Sequence, residues 1–294
     1  MYIKPSKLVC IGSVVLSLSL GFFAEHAFAA VFPPATTYDG IKPVPSIPRP
    51  GYLQPIIEPV FGTKVIRISD ESMGPSKPNR LQHHYAKDQP WNRDMTLIKL
   101  NSSEFILDAK TYQIFKKLSG KGDGRWSTVD PNILFYTRGN EFRKFNVRTD
   151  ADTLLRTFPE GVLEIGPFEG NLSVGDTMVV LTVGGLAIVY DIVNDVVISK
   201  KDLGDTDWIS VSQSGRYIAA NIPAGLVVYD LNMNVLRTVF PKGSHGDFGY
   251  DAAGNEVFVQ MCPMQMARLD TGQVTNLGLN TCGHMSARNY LRPG

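Results

Sequence analysis

The chain has 294 residues, 43% of them hydrophobic, with 29 basic against 28 acidic side chains. That balance argues against a nucleic-acid partner, since no excess of Lys and Arg is available to neutralise phosphates, and the apolar content excludes intrinsic disorder. Only 19% of residues are charged, while 27 Gly, 19 Pro, 15 Phe and 11 Tyr point to short strands and many turns rather than long solvated helices.

The first element is a leader. Lys4 and Lys7 form a basic n-region, Leu8 to Phe23 an apolar h-region, and Ala27-Phe28-Ala29 an A-x-A cleavage site, which together predict a signal peptide over 1–29. The apolar run is shorter than the roughly 20 residues of a membrane span and ends in Glu25-His26. A periplasmic or secreted protein without a transmembrane anchor is therefore expected. Cleavage removes Lys4, Lys7 and Glu25, taking 29 basic and 28 acidic groups to 27 of each. Two cysteines remain, Cys262 and Cys282, whose spacing is not a zinc pattern. A disulfide between them and two buried thiols are both open readings.

Residues 30–50 read as a proline-rich arm (Pro33, Pro34, Pro43, Pro45, Pro48, Pro50), because proline fixes the backbone and removes ladder donors. The stretch 51–294 reads as one domain built from a repeated unit. In each unit a turn with Asp, Asn or Gly leads into an apolar run, and a hairpin then leads into a second. Asp94-Met95-Thr96-Leu97-Ile98-Lys99-Leu100 precedes Phe105-Ile106-Leu107-Asp108, and Asp130 to Tyr136 precedes Phe142 to Val147. Gly175 to Leu181 precedes Leu186 to Asp191, Ser214 to Ala220 precedes Gly225 to Asp230, and Ala253 to Val259 precedes Met266 to Asp270. From Asp94 through Asp130, Asp176, Gly215 and Gly254 the steps are 36, 46, 39 and 39. A period of about 40 with roughly four short strands per unit predicts an all-β fold, a β-propeller of four-stranded blades. A β-sandwich shares the turn frequency but does not repeat a four-strand unit five times.

The expected divisions are 51–80 for an N-terminal closing strand and approach, then blades at 81–118, 119–160, 161–201, 202–241 and 242–279. Residues 280–294 read as the start of a sixth blade. Phe61 to Ile68 reads as an outer strand awaiting a partner blade, so the expectation is an incomplete, truncated propeller. The hairpins close on Asp108, Asn146, Asp191, Asp230 and Asp270, residues that bond their own backbone in tight turns.

Several stretches resemble a group of secreted bacterial propellers related to the oligogalacturonate lyases. They are Gly51-Tyr52-Leu53-Gln54-Pro55 through Thr63 with Arg67-Ile68-Ser69-Asp70; His84-Tyr85-Ala86-Lys87-Asp88-Gln89-Pro90-Trp91-Asn92; and Arg125-Trp126-Ser127 with Asp130-Pro131-Asn132. Ser244-His245 with Gly249-Tyr250-Asp251, and Gly283-His284-Met285-Ser286 with Arg288-Asn289, complete the set. The resemblance runs from about residue 50 to the end and is broad for fold but weak for function, because the group mixes lyases with members of unassigned activity.

In a propeller, the loops leading into each innermost strand converge at one mouth of the central channel. Here they carry His83, His84, Lys87, Gln89, Arg125, Trp126, Glu169, Asn171, Asp207, Trp208, His245, Asp247, His284 and Arg288, which include every histidine left after cleavage. The lyases hold a divalent, manganese-like metal at this mouth through histidines and a glutamine; it binds the substrate carboxylate and acidifies the proton beside it for β-elimination. On that resemblance His245, His284 and Gln89 are the metal candidates. Arg125 and Arg288 are the catalytic candidates, as forks for a uronate carboxylate, and His84, Gln89, Trp126 and Trp208 are the substrate-binding ones. The lyases place two ligand histidines one residue apart, and no H-x-H occurs here. His83-His84 does not replace it, because neighbouring strand residues point to opposite faces.

Inter-blade hydrogen bonding by the histidines, and inter-blade packing by Trp91, Trp126 and Trp208, are the structural alternatives. No nucleophile elbow, P-loop or GxGxxG is present. The leading expectation is an exported propeller that binds an acidic oligosaccharide at the channel mouth, with metal-assisted β-elimination as the implied lyase chemistry. The alternative is a non-catalytic envelope propeller that presents its loops to a protein partner.

Overall fold

The computed structural model describes residues 46–70, 73, 82–100, 104–121, 124–167, 170–243, 245–278, 282–284 and 286. The leader 1–29, arm residues 30–45, Glu169 and Arg288 lie outside the described residues. So does the expected sixth-blade start, apart from 282–284 and 286.

Every element among the described residues is a strand or a short turn. β1 (Ile56–Ile57) and β2 (Lys64–Val65) pair as a two-stranded ribbon. Five antiparallel sheets follow in chain order. The first is β3 (Leu97–Leu100), β4 (Phe105–Asp108) and β5 (Ile114–Lys117). The second is β6 (Arg125–Trp126), β7 (Ile133–Arg138), β8 (Glu141–Asn146) and β9 (Asp152–Thr157). The third is β10 (Met178–Val183), β11 (Leu186–Asp191) and β12 (Val196–Asp202). The fourth is β13 (Trp208–Val211), β14 (Ile218–Ile222), β15 (Gly225–Tyr229) and β16 (Val235–Phe240). The fifth is β17 (Gly246–Tyr250), β18 (Glu256–Gln260), β19 (Gln265–Arg268) and β20 (Val274–Asn276). In the first and third sheets the innermost position is an isolated antiparallel bridge, Trp91 to Ile98 and Glu164 to Thr182.

The cores lie between successive sheets. Along β10, Val179 and Leu181 pack with Phe135 and Phe142 of the second sheet, while Val180 packs with Ile209 and Val211 of the fourth. Along β11, Ile188 and Tyr190 face the second sheet and Ala187 and Val189 the fourth. Successive strand residues point to opposite faces, so a strand buried on both faces must be apolar throughout. This accounts for the unbroken apolar runs in the middle strands. Trp208, Ala219 and Val228 likewise join Phe248, Phe258 and Ala267 of the fifth sheet, and Leu97 and Ile106 join Trp126, Leu134 and Phe145. Sheets stacked face to face around an axis, each a simple meander, make a β-propeller.

Burial falls from the inside of each blade outwards. β13 and β15 are buried throughout, whereas β5, β9 and β20 are mostly exposed or half-exposed. The hairpin turns use the expected side chains. Asp108 Oδ1 accepts from the N–H groups of Lys110 and Thr111, Asn146 Oδ1 from those of Arg148 and Thr149, and Asp191 Oδ1 from those of Val193 and Asn194.

The N-terminal stretch covers the outer face of the first blade. Tyr52, Ile68 and Met73 pack with Ile98, Leu100, Phe105 and Leu107. Residues 61–68, expected as an outer closing strand, supply β2, and Arg67 adds a parallel bridge to Tyr52.

Candidate functional site

The loop leading into the first blade runs across the channel. Lys87 is 6% exposed, with its Nζ 4.7 Å from the ring centre of Trp208 in the fourth blade. Its carbonyl accepts a hydrogen bond from Asn171 Nδ2 of the third blade at 3.1 Å. Beside it Asp88, 1% exposed, takes Lys99 Nζ on both carboxylate oxygens at 2.5 Å. Arg125 Nη1 stands 3.7 Å and His84 Nδ1 3.5 Å from Asp88 Oδ2. Burial works to raise the Asp88 pKa, but Lys99, Arg125 and the His84 contact outweigh it and hold the carboxyl far below its ordinary 3.8. Lys99 also donates to the Gly124 carbonyl at 2.5 Å, and Arg125 Nε to that of Gly170 at 2.7 Å. One carboxylate thus ties together the inner strands of the first two blades, and Arg125 continues the chain of bonds to the third.

At the mouth, three rings from distant parts of the chain meet. His245 and His284 lie edge to face with centroids 4.8 Å apart, and Tyr85 contacts His284 at 4.8 Å. The His245 carbonyl accepts the N–H of Met261 at 2.7 Å, so the β18–β19 turn sits against the loop that carries His245. The adjacent Cys262 is disulfide-bonded to Cys282, with Cα atoms 4.6 Å apart, which decides between the two cysteine readings. His245 and His284 are both exposed. Partial desolvation, then the nearby His284 and Lys87, lower the His245 pKa from its ordinary 6.5, with Asp207 opposing. These surroundings favour the neutral imidazole.

A cleft lies along the inner strands and turns of the first three blades. Its lining includes Gln89, Trp91, Arg93, Met95, Arg125 and Trp126. Many of its polar groups are engaged internally. Asn92 Nδ2 donates to the Pro131 carbonyl, the Thr128 N–H and Oγ1 donate to Asp176, and Arg93 donates to the Thr128 carbonyl.

The structure thus divides the expected residues between two places. His245 and His284 come together at the mouth, while Gln89, Arg125 and Trp126 line the cleft, which neither histidine lines. His84 stands against Asp88. Trp126, 7% exposed, donates through Nε1 to the Pro90 carbonyl and belongs to the core between the first two blades. Trp208, 3% exposed, belongs to the core between the fourth and fifth. Arg288 lies outside the described residues. Among the described residues, no group of three or more His, Cys, Asp and Glu is placed to hold a metal ion. The described donors at the mouth are two imidazoles, which alone do not make a metal centre. Sequence reasoning passed over Asp88, Lys99 and Tyr85. The signal for Lys99 was a lone charge inside the apolar run Leu97-Ile98-Lys99-Leu100.

No protein-family model and no curated protein matches this chain. Among solved structures, it is similar to an oligogalacturonate lyase from Vibrio parahaemolyticus, with 14% identity over 81% of this chain and 75% of that one and a TM-score of 0.55. The likeness is one of fold. The propeller also matches the β-propeller domain of Cps50 (Swd1) from Myceliophteria thermophila, at 12% identity over 67% of this chain and 87% of that one, with a TM-score of 0.39. Among the described residues, the propeller has no helix long and apolar enough to cross a membrane.

Proposed function

We propose that this propeller is an exported carbohydrate-binding protein that takes an acidic oligosaccharide, a uronate chain, at the mouth formed by Tyr85, His245 and His284. The convergence of these three rings from the first blade, the fifth blade and the C-terminal segment carries the reading. Exposed imidazoles offer ring nitrogens to sugar hydroxyls and C–H faces to the pyranose ring. The Lys87 ammonium, near enough to act on His245, supplies positive charge for a carboxylate. The fold shared with an oligogalacturonate lyase supports a carbohydrate ligand. Because the described donors stop at two imidazoles, the chemistry proposed is binding.

Titration calorimetry with a galacturonate trisaccharide and with a neutral hexose trisaccharide tests this. The acidic sugar should bind and the neutral one bind at least tenfold more weakly. His245→Ala or His284→Ala should each weaken uronate binding by tenfold or more. Equal affinity for both sugars, or no loss in either variant, overturns the reading, and absence of any sugar binding favours a propeller that presents loops to a protein partner. Manganese is included in a parallel arm, where rising ultraviolet absorbance from a new C=C bond would extend binding to elimination.

A further inference from the structure

The Cys262–Cys282 disulfide stands apart from the blade architecture and beside the mouth. The backbone hydrogen bonds of the fifth blade end, among the described residues, with the Leu277 N–H donating to the Met264 carbonyl. Beyond that point residues 282–284 form no strand. Among the described residues, they are held by the covalent bond to Cys262 and the ring contacts of His284 with His245 and Tyr85. Cys262 sits in the β18–β19 turn, next to Met261, whose N–H is bonded to the His245 carbonyl. The bond therefore anchors the C-terminal segment directly beside His245, and His284 follows only two residues later. Both cysteines are exposed to solvent, so a soluble thiol can reach the bond.

We propose that this disulfide is a redox-sensitive clasp, with Cys282 as a positioning residue that determines whether His284 stands in the mouth. A small dithiol supplies the two electrons. Its thiolate attacks one cystine sulfur, the other leaves as a thiolate, and the second thiol of the reagent resolves the mixed disulfide. The products are the protein dithiol and the oxidised, cyclic reagent, with two protons taken up at the protein thiols. Once the bond is open, no strand ladder among the described residues holds 282–284, and His284 leaves His245 and Tyr85. The clasp rests on the geometry of the mouth; its effect on ligand rests on the sugar-binding reading above.

The test uses the intact protein, oxidised and then treated with dithiothreitol, together with a Cys262→Ser/Cys282→Ser variant. Proton NMR follows the nuclear Overhauser contacts between the imidazole hydrogens of His245 and His284 and from His284 to Tyr85. Far-ultraviolet circular dichroism and tryptophan fluorescence show whether the blades remain folded. The expected result is loss of these contacts in the reduced protein with the blade signals unchanged, recovery on reoxidation, and about tenfold weaker galacturonate binding in the reduced state. Contacts that survive reduction in folded protein overturn the clasp, as does their loss only together with the blade signals. Loss of the contacts in a protein whose oxidised form binds no uronate supports the clasp and overturns the sugar reading, so the two fail separately.

Discussion

Asp88 keeps its charge inside the protein because three basic side chains surround it. Removing one partner leaves the carboxylate buried and under-compensated, which typically costs about 3–5 kcal/mol. Lys99→Met should therefore destabilise the propeller by roughly that amount in urea unfolding, and adding Asp88→Asn to it should recover much of the loss. The pH dependence has a definite sign. The native pKa of Asp88 is depressed, so its contribution is complete above the ordinary 3.8 and is lost as pH falls towards the native value. Between about pH 4 and pH 2, wild-type stability should fall more steeply than that of Asp88→Asn. A flat acid limb in both proteins would contradict this. The lone Lys99 within an apolar run was visible in the sequence. Its partner was not, because Asp88 lies in an irregular approach loop whose path beside β3 no periodicity records.

Individual strands and turns were the most readable level, because their chemistry is local. Asx turns at Asp108, Asn146 and Asp191 need only a side chain within reach of the next two or three N–H groups, and that is a matter of sequence spacing. Asp191 accepts from Val193 and Asn194 backbone N–H groups and from Asn194 Nδ2. Asp191→Ala should cost about 1–2 kcal/mol, measured by chemical denaturation. Gly225 tests the close approach of neighbouring strands. Its φ is +117° and a Cβ there would lie 2.4 Å from the Phe240 carbonyl oxygen. Gly225→Ala should therefore destabilise by about 1–3 kcal/mol, with a melting curve as the measurement and an unchanged Tm as the contrary outcome. Less readable were the innermost positions of the first and third blades. Trp91 and Glu164 hold them by single bridges, too short to give an apolar period.

Across the whole molecule, the cross-link joins residues separated by 20 positions. Closing such a loop stabilises by roughly 3 kcal/mol on the chain-entropy account. Reduction should lower the melting temperature in calorimetry, and a Tm that does not move would show that the segment bears no load. From the sequence alone followed an all-β propeller, because its signals repeat along the chain. These are turns at near-constant spacing, paired apolar runs, and middle strands apolar on both faces. Neighbours close in sequence build those elements, so the pattern carries them. The tertiary structure alone decided which side chains meet. His245 joins His284 rather than Gln89, Lys87 reaches Trp208 across the channel, Cys262 bonds Cys282, and Arg125 and Trp126 turn inwards. Such meetings depend on how each blade rotates against the next and on the path of the loops between them. No residue spacing records either, and the candidate site is made of them.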